Sequence, residues 1–156
     1  KLQEITFAAA ELLHAYVHTL DNGEYERWPD FFTEDALYRI VARDNYERGL
    51  PLATLFCNGT GMMRDRVIAI REALVYSPNY LRHIVSAVRV TEGDGNRFAA
   101  ESNYVVFSTA RDEETKVFNS GKYIDEIVYV DGRAKFHKKL VVYDSLLIPS
   151  LLVIPI

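Results

Sequence analysis

Apolar residues near the start of the chain recur at three- and four-residue spacing: Ile5, Ala9, Leu12, Leu13, Tyr16, Val17 and Leu20. That stripe predicts an amphipathic helix over residues 3–20. Asp21-Asn22-Gly23 ends it, with Asn and Gly suited to a helix C-cap. A short helix around residues 25–32 carries the only tryptophan, Trp28, which reads as core together with Phe31 and Phe32. Thr33-Glu34-Asp35 reads as a turn, and residues 36–42 alternate as a strand does. Residues 43–61 read as irregular, punctuated by Gly49, Pro51, Gly59 and Gly61. A second helix is expected over residues 64–76, with Val67, Ile70 and Leu74 on one stripe and Pro78 as its stop.

From residue 82 the rhythm changes to strands. They are expected at 82–90, 97–109, 115–130 and 133–143, with turns at 92–95, 112–114 and 131–132. Asp131-Gly132 is a strong hairpin signal, because a type I′ turn needs positive φ at both positions. Gly121, inside the third of these strands, predicts a bulge. Helices first and long antiparallel strands afterwards predict one α+β domain over residues 1–156. Its helices should pack on one face of a strongly curved, mostly antiparallel sheet.

The last stretch of the sequence is unusually apolar: Leu146, Leu147, Ile148, Leu151, Leu152, Val153, Ile154 and Ile156. Burying each such side chain gains roughly 1.5–3 kcal/mol, and half that total rivals the roughly 5–15 kcal/mol that holds a domain together. A membrane-spanning helix needs about 20 apolar residues. This segment is shorter, holds Asp144, and is broken by Pro149 and Pro155. The segment therefore packs within its own domain or in a subunit interface, and both readings stay open.

Composition narrows the class. A chain of 156 residues, 49% hydrophobic and 26% charged, fits one ordinary globular domain. A net charge of −4 argues against nucleic acid as a partner. The basic cluster Lys135–Lys139, interrupted by Phe136 and His137, reads as a strand face. The single cysteine, Cys57, cannot form an internal disulfide, hold an iron–sulfur cluster or supply a zinc pair. No secretory pattern opens the sequence, so a reducing cytoplasmic setting is expected.

Candidate chemistry is sparse. Glu11, His14 and His18 share a helical face and could ligate a metal, although a solvated polar face explains them more simply. His83 and His137, with Asp35, Tyr38 or Tyr104, could line the interior of a cone as acid–base groups, or serve as hydrogen-bonded structural residues. The sequence holds no GxSxG, P-loop, GxGxxG or HExxH motif. Gly59-Thr60-Gly61 reads as a cap on the following helix. Arg64, Asp65, Arg66 and Arg71 crowd one helix, as a charged face or as a docking surface.

Several stretches, taken in order, carry a resemblance. They are the helix ending Leu20-Asp21, then Trp28-Pro-Asp-Phe-Phe-Thr-Glu-Asp-Ala-Leu-Tyr-Arg39, Asp65-Arg66 and Arg71-Glu72. Tyr80-Leu-Arg-His-Ile-Val-Ser86, Gly121-Lys-Tyr-Ile-Asp125, Tyr143-Asp144, Pro149 and Pro155-Ile156 complete the set. The chain resembles the small (beta) subunit of aromatic-ring-hydroxylating, Rieske-type oxygenases. The run from Asp44 through Gly61 to Asp65-Arg66 is most similar to the small subunits of salicylate hydroxylase and of terephthalate and anthranilate dioxygenases.

The resemblance implies an NTF2-like cone and a non-catalytic role in assembling and stabilising an alpha3-beta3 hexamer. It places the Rieske [2Fe–2S] cluster and the mononuclear Fe(II) in the alpha subunit, with no cofactor in this chain, and suggests an aromatic carboxylic acid as substrate of the complex. Subunit contacts are then expected at Tyr143, Asp144, Leu146, Pro149, Leu151, Leu152, Ile154, Pro155 and Ile156, and at Arg64 and Arg66. The alternatives are a stand-alone NTF2-like isomerase or dehydratase, which needs a ligand-sized cavity, or a small-ligand binding protein.

Overall fold

The computed structural model of the chain describes residues 1–76, 79–144 and 154–156. Helix α1 runs Leu2–Asp21, followed by a 3-10 segment Tyr25–Phe31 and strand β1, Phe32–Ala42. Helix α2 (Arg43–Glu47), strand β2 (Leu55–Asn58) and helix α3 (Thr60–Tyr76) come next. The remaining strands are β3 (Asn79–Glu92), β4 (Arg97–Ala110), β5 (Lys116–Val130) and β6 (Arg133–Tyr143). They form a six-stranded sheet in the order β2-β1-β6-β5-β4-β3. Every pairing is antiparallel except β1 with β6.

The α1 stripe is buried as its spacing demands, from Ile5 to Leu20. After Asp21 the helix closes with Glu24 N–H donating to the Thr19 carbonyl and Gly23 N–H to that of Leu20. This is the paired bonding of a Schellman cap. Helix α1 lies across the concave face of the sheet. Tyr16 reaches Phe136 on β6, and Asp21 reaches His83 on β3.

The curvature has a local cause. A one-residue register shift interrupts β3–β4 between Ser86 and Arg89, β4–β5 between Val106 and Phe107, and β5–β6 between Glu126 and Ile127. Each such bulge bends its strand and increases the twist. Ala87, inside the first shift, has φ 54°.

Three details depart from the sequence reading. Residues 33–35 are no turn: they continue β1, and the irregularity there is a register shift against β6 between Phe32 and Leu37. The span 43–61 is not all irregular, because it contains α2 and β2. Gly121 is not bulged; it pairs regularly with Tyr104 and Tyr143. Its side chain is absent because β6 crosses too near. A Cβ there would overlap the Val142 carbonyl oxygen and sit 2.9 Å from Tyr143 Cα. The expected hairpin is present, with φ 51° at Asp131 and 75° at Gly132.

Gly61 gives a contrasting case. It lies in the first turn of α3, and a Cβ there meets no atom within 4 Å. Gly61→Ala is therefore expected to stabilise the fold by about 0.4–1 kcal/mol, by restricting the unfolded chain, as read by urea denaturation.

Candidate functional site

The interior of the curved sheet is where polar chemistry gathers. Alternation along β4 and β5 turns Ser102, Tyr104, Asn119, Tyr123 and Asp125 inward, and all are buried. Tyr38 of β1, Tyr16 of α1 and Trp28 complete an aromatic lining, none of them exposed to any degree. Trp28 packs edge-on against Phe32 and Tyr38, and Tyr16 edge-on against Phe31, Phe32 and Phe136. The Tyr104 and Tyr123 rings stack at 4.6 Å.

A buried ion pair sits in this lining. Lys139 Nζ donates to the two Asp125 carboxylate oxygens at 3.1 and 3.3 Å. Both side chains are fully shielded from solvent. The ammonium lies 3.6 Å from the Tyr123 ring centroid, 4.3 Å from that of Phe136 and 4.8 Å from that of Tyr16. Three ring faces and a carboxylate thus replace the water an ammonium would otherwise hold. Burial raises the Asp125 carboxyl and Lys139 pulls it back; burial lowers the Lys139 ammonium and Asp125 supports it.

This corrects the reading of Lys135–Lys139 as a plain strand face. Lys138 points out and Lys139 points in, and the sequence carried no sign of it beyond the strand alternation itself. A hairpin closed at Asp131-Gly132 without interruption would bring Lys138 opposite Asp125. The register shift at His137 brings Lys139 there instead, paired directly across from Asp125. One extra residue reverses the facing of everything beyond it.

The second polar cluster joins α1 to β3. Asp21 accepts from the His83 backbone N–H at 3.0 and 3.1 Å and from the His83 ring Nδ1 at 2.6 Å. The His83 side chain is fully buried and that of Asp21 nearly so. With the carboxylate beside Nδ1, that nitrogen is the donor to Asp21, and Nε2 is left buried on the other side of the ring. Such a dyad could move a proton in an open cavity. Here its three bonds anchor the end of α1 to the sheet. His83 Nε2, Ser102 Oγ, Asn119 Nδ2 and Tyr123 OH have no hydrogen-bond partner among the described residues. Asn119 instead uses Oδ1, accepting from the Tyr104 hydroxyl.

The other sequence candidates scatter. His137 and Asp35 do come together, at 3.6 Å, but at the surface, where Asp35 is largely exposed and His137 also meets Thr33 at 3.0 Å. Tyr38 and Tyr104 face the interior, so the expected group divides between two sides of the sheet. His14 lies 3.8 Å from Glu11 on an exposed face of α1. Among the described residues no three His, Cys, Asp or Glu side chains converge to hold a metal. A Rieske cluster needs two cysteines and two histidines, and the lone Cys57 is buried with its thiol pKa pushed up by burial. The donors of this chain do not fit that cluster.

Arg71 is a tie between elements. It donates to the Glu26 carboxylate at 2.6 Å and to the Gly23 carbonyl at 2.8 Å, holding α3 to the turn after α1. Arg64 is exposed, and Arg66 lines a surface hollow of about 310 Å³ with Phe56, Met62 and Asp65. Of the expected contact residues, Tyr143 is buried at the end of β6, and Asp144 is exposed beside Arg43, 3.3 Å away. Ile154, Pro155 and Ile156 are buried within the chain's own core, while Leu146, Pro149, Leu151 and Leu152 lie outside the described residues. Among the described residues no helix is long and apolar enough to cross a membrane.

A curved sheet covered by a helix and lined with rings and a buried ion pair narrows the field, and comparison with known proteins decides it. The family model for the ring hydroxylating beta subunit matches residues 15–150. The chain belongs to the ring-hydroxylating beta subunit family. It is 37% identical over 145 residues to the anthranilate 1,2-dioxygenase small subunit of Burkholderia cepacia, covering 93% of this chain and 90% of that one. It is 33% identical to subunit beta 1 of the terminal oxygenase component of terephthalate 1,2-dioxygenase from a Comamonas species, covering 99% of both. A crystal structure of a beta subunit assigned to an aromatic-ring-hydroxylating dioxygenase of Novosphingobium aromaticivorans DSM 12444 superposes with a TM-score of 0.90. It is 37% identical and covers 99% of this chain and 98% of its own. This small subunit therefore has the NTF2-like fold of its relatives and is the beta subunit of a ring-hydroxylating oxidoreductase complex.

Proposed function

We propose that this beta subunit acts as one domain over residues 1–156 that assembles and stabilises an alpha3-beta3 oxygenase in the cytoplasm. The Rieske [2Fe–2S] cluster and the mononuclear Fe(II) reside in the alpha subunit, and the complex acts on an aromatic carboxylic acid. The observation that carries this reading is the family match over residues 15–150, extended by relatives named for anthranilate and terephthalate dioxygenases. The interior supports it, because its two acid–base pairs, Asp125 with Lys139 and Asp21 with His83, are each committed to one another.

Contacts with neighbouring chains are formed by Arg64, Arg66 and Asp144, and by the apolar residues after it, Leu146, Pro149, Leu151 and Leu152. Tyr143, Ile154, Pro155 and Ile156 support them from within. The hollow lined by Phe56, Met62 and Arg66 fits this role, since aromatic, methionine and arginine side chains are enriched where subunits meet.

Co-expression with a Rieske-type alpha subunit tests the reading. A stoichiometric complex is expected by size-exclusion chromatography and native mass spectrometry. Arg64→Glu combined with Arg66→Glu should weaken that complex at least tenfold while the isolated fold keeps its melting temperature. An isolated monomer that ignores the alpha chain would overturn the proposal.

A further inference from the structure

Ile154–Ile156 is held in an unusual way. The segment belongs to no strand or helix, so its backbone groups cannot be satisfied by a ladder. Instead the Tyr38 hydroxyl accepts from the Ile156 N–H at 3.0 Å and donates to the Ile156 carbonyl at 3.0 Å. The Tyr16 hydroxyl donates to the same carbonyl at 3.0 Å, and Trp28 Nε1 donates to Tyr16 at 3.2 Å. The Ile154 and Ile156 side chains are buried in the same place.

The walls of this slot come from three other elements and pack against one another as well as against the segment. Tyr16 comes from α1, Trp28 from the 3-10 turn and Tyr38 from β1, and edge-to-face contacts with Phe32 and Phe136 hold their rings. Burial raises the Tyr16 and Tyr38 phenols well above their ordinary range, so both remain hydroxyl donors at any working pH. Hydrogen bonds to a peptide's main-chain groups beside a pocket for its apolar side chain are a recurring way in which proteins capture short peptides.

We propose that the aromatic end of the cone is a peptide-binding slot for an apolar Ile-Pro-Ile segment, which this chain fills with its own residues 154–156. The segment docks as a ligand on walls supplied by other elements, and its two isoleucines complete the core when it does. It releases and rebinds while the sheet stays folded. Release uncovers the aromatic slot and frees an apolar segment that a neighbouring subunit can take up. Only the uptake by a neighbouring subunit rests on the assembly reading; the slot and its occupant concern the isolated chain.

The test uses the full-length chain with a protease site placed between residues 146 and 152 and cleaved after folding. A fluorescein-labelled peptide, Leu-Leu-Val-Ile-Pro-Ile, is then titrated into the clipped protein and followed by anisotropy. Saturable exchange is expected with the sheet's circular dichroism unchanged. Tyr38→Phe, which removes both bonds to Ile156, should weaken peptide binding about tenfold. In the uncut chain, the Ile156 amide should exchange with deuterium at least a hundredfold faster than the central amides of β5. Unfolding on clipping, exchange only where denaturant melts the sheet, or equal affinity in Tyr38→Phe would each overturn the proposal. Equal protection of Ile156 and β5 would do the same.

Discussion

Lys139→Met is expected to cost about 3–5 kcal/mol of stability, while the double variant Lys139→Met with Asp125→Leu recovers most of that loss. The single change strands a carboxylate in a site with no exposed surface and no other cation among its hydrogen-bond partners. The double change replaces two charges by apolar volume, which removes the cost of stripping both of water. A double-mutant cycle by urea denaturation reads the coupling directly, and a cost below 1 kcal/mol for the single variant would refute the assigned role.

The pH dependence of the single variant follows in sign. Burial already lifts the Asp125 carboxyl to about 6 while Lys139 opposes that rise. Removing Lys139 removes both influences that lower it, so the carboxyl rises further. An acid whose folded pKa lies above its unfolded value near 3.9 contributes stability that is complete below the unfolded value. That contribution disappears as pH climbs through the folded value. Lys139→Met should therefore be more stable at pH 5 than at pH 8, with melting temperatures across that interval as the readout. The double variant, lacking both groups, should show no such slope from this site.

The order of elements was legible in the sequence because periodicity reports which face is buried. The α1 stripe, the Asp131-Gly132 hairpin and the long strands after residue 82 all follow from it. The interior was much less legible. Asp125 and Lys139 are ordinary charged residues on two strands, and nothing local marks them as partners. Their meeting depends on a single register shift at His137, a choice made by packing across the sheet. Asp21 presented itself as part of a helix cap, yet its carboxylate carries the contact to His83, 62 residues away. Residues 43–61 were obscured for a different reason. The five-residue α2 and four-residue β2 are too short to show a period, and β2 exists only because β1 offers it an edge. The glycine of β5 was visible as a special position, but a bulge and a close crossing leave the same mark in a sequence.

That glycine gives the second large effect. Gly121→Ala places a methyl group onto backbone atoms of Val142 and Tyr143, where no side chain can rotate away. Overpacking against flexible neighbours costs about 1–3 kcal/mol; a clash with main chain belongs at or beyond the upper end. The strain falls on one end of the β5–β6 ladder, where Lys122 pairs with Val142, Gly121 with Tyr143, and Asp144 N–H donates to the Ser120 carbonyl at 2.9 Å. Relief requires β6 to peel away there, which moves Tyr143 and Asp144, the residues that lead into the apolar segment. Gly121→Ala should therefore lose about 3 kcal/mol or more by urea denaturation and lose assembly with the alpha chain together. Gly61→Ala, made in the same chain, should keep both. Retention of wild-type stability in Gly121→Ala would mean that β6 does not cross there as closely as the register requires.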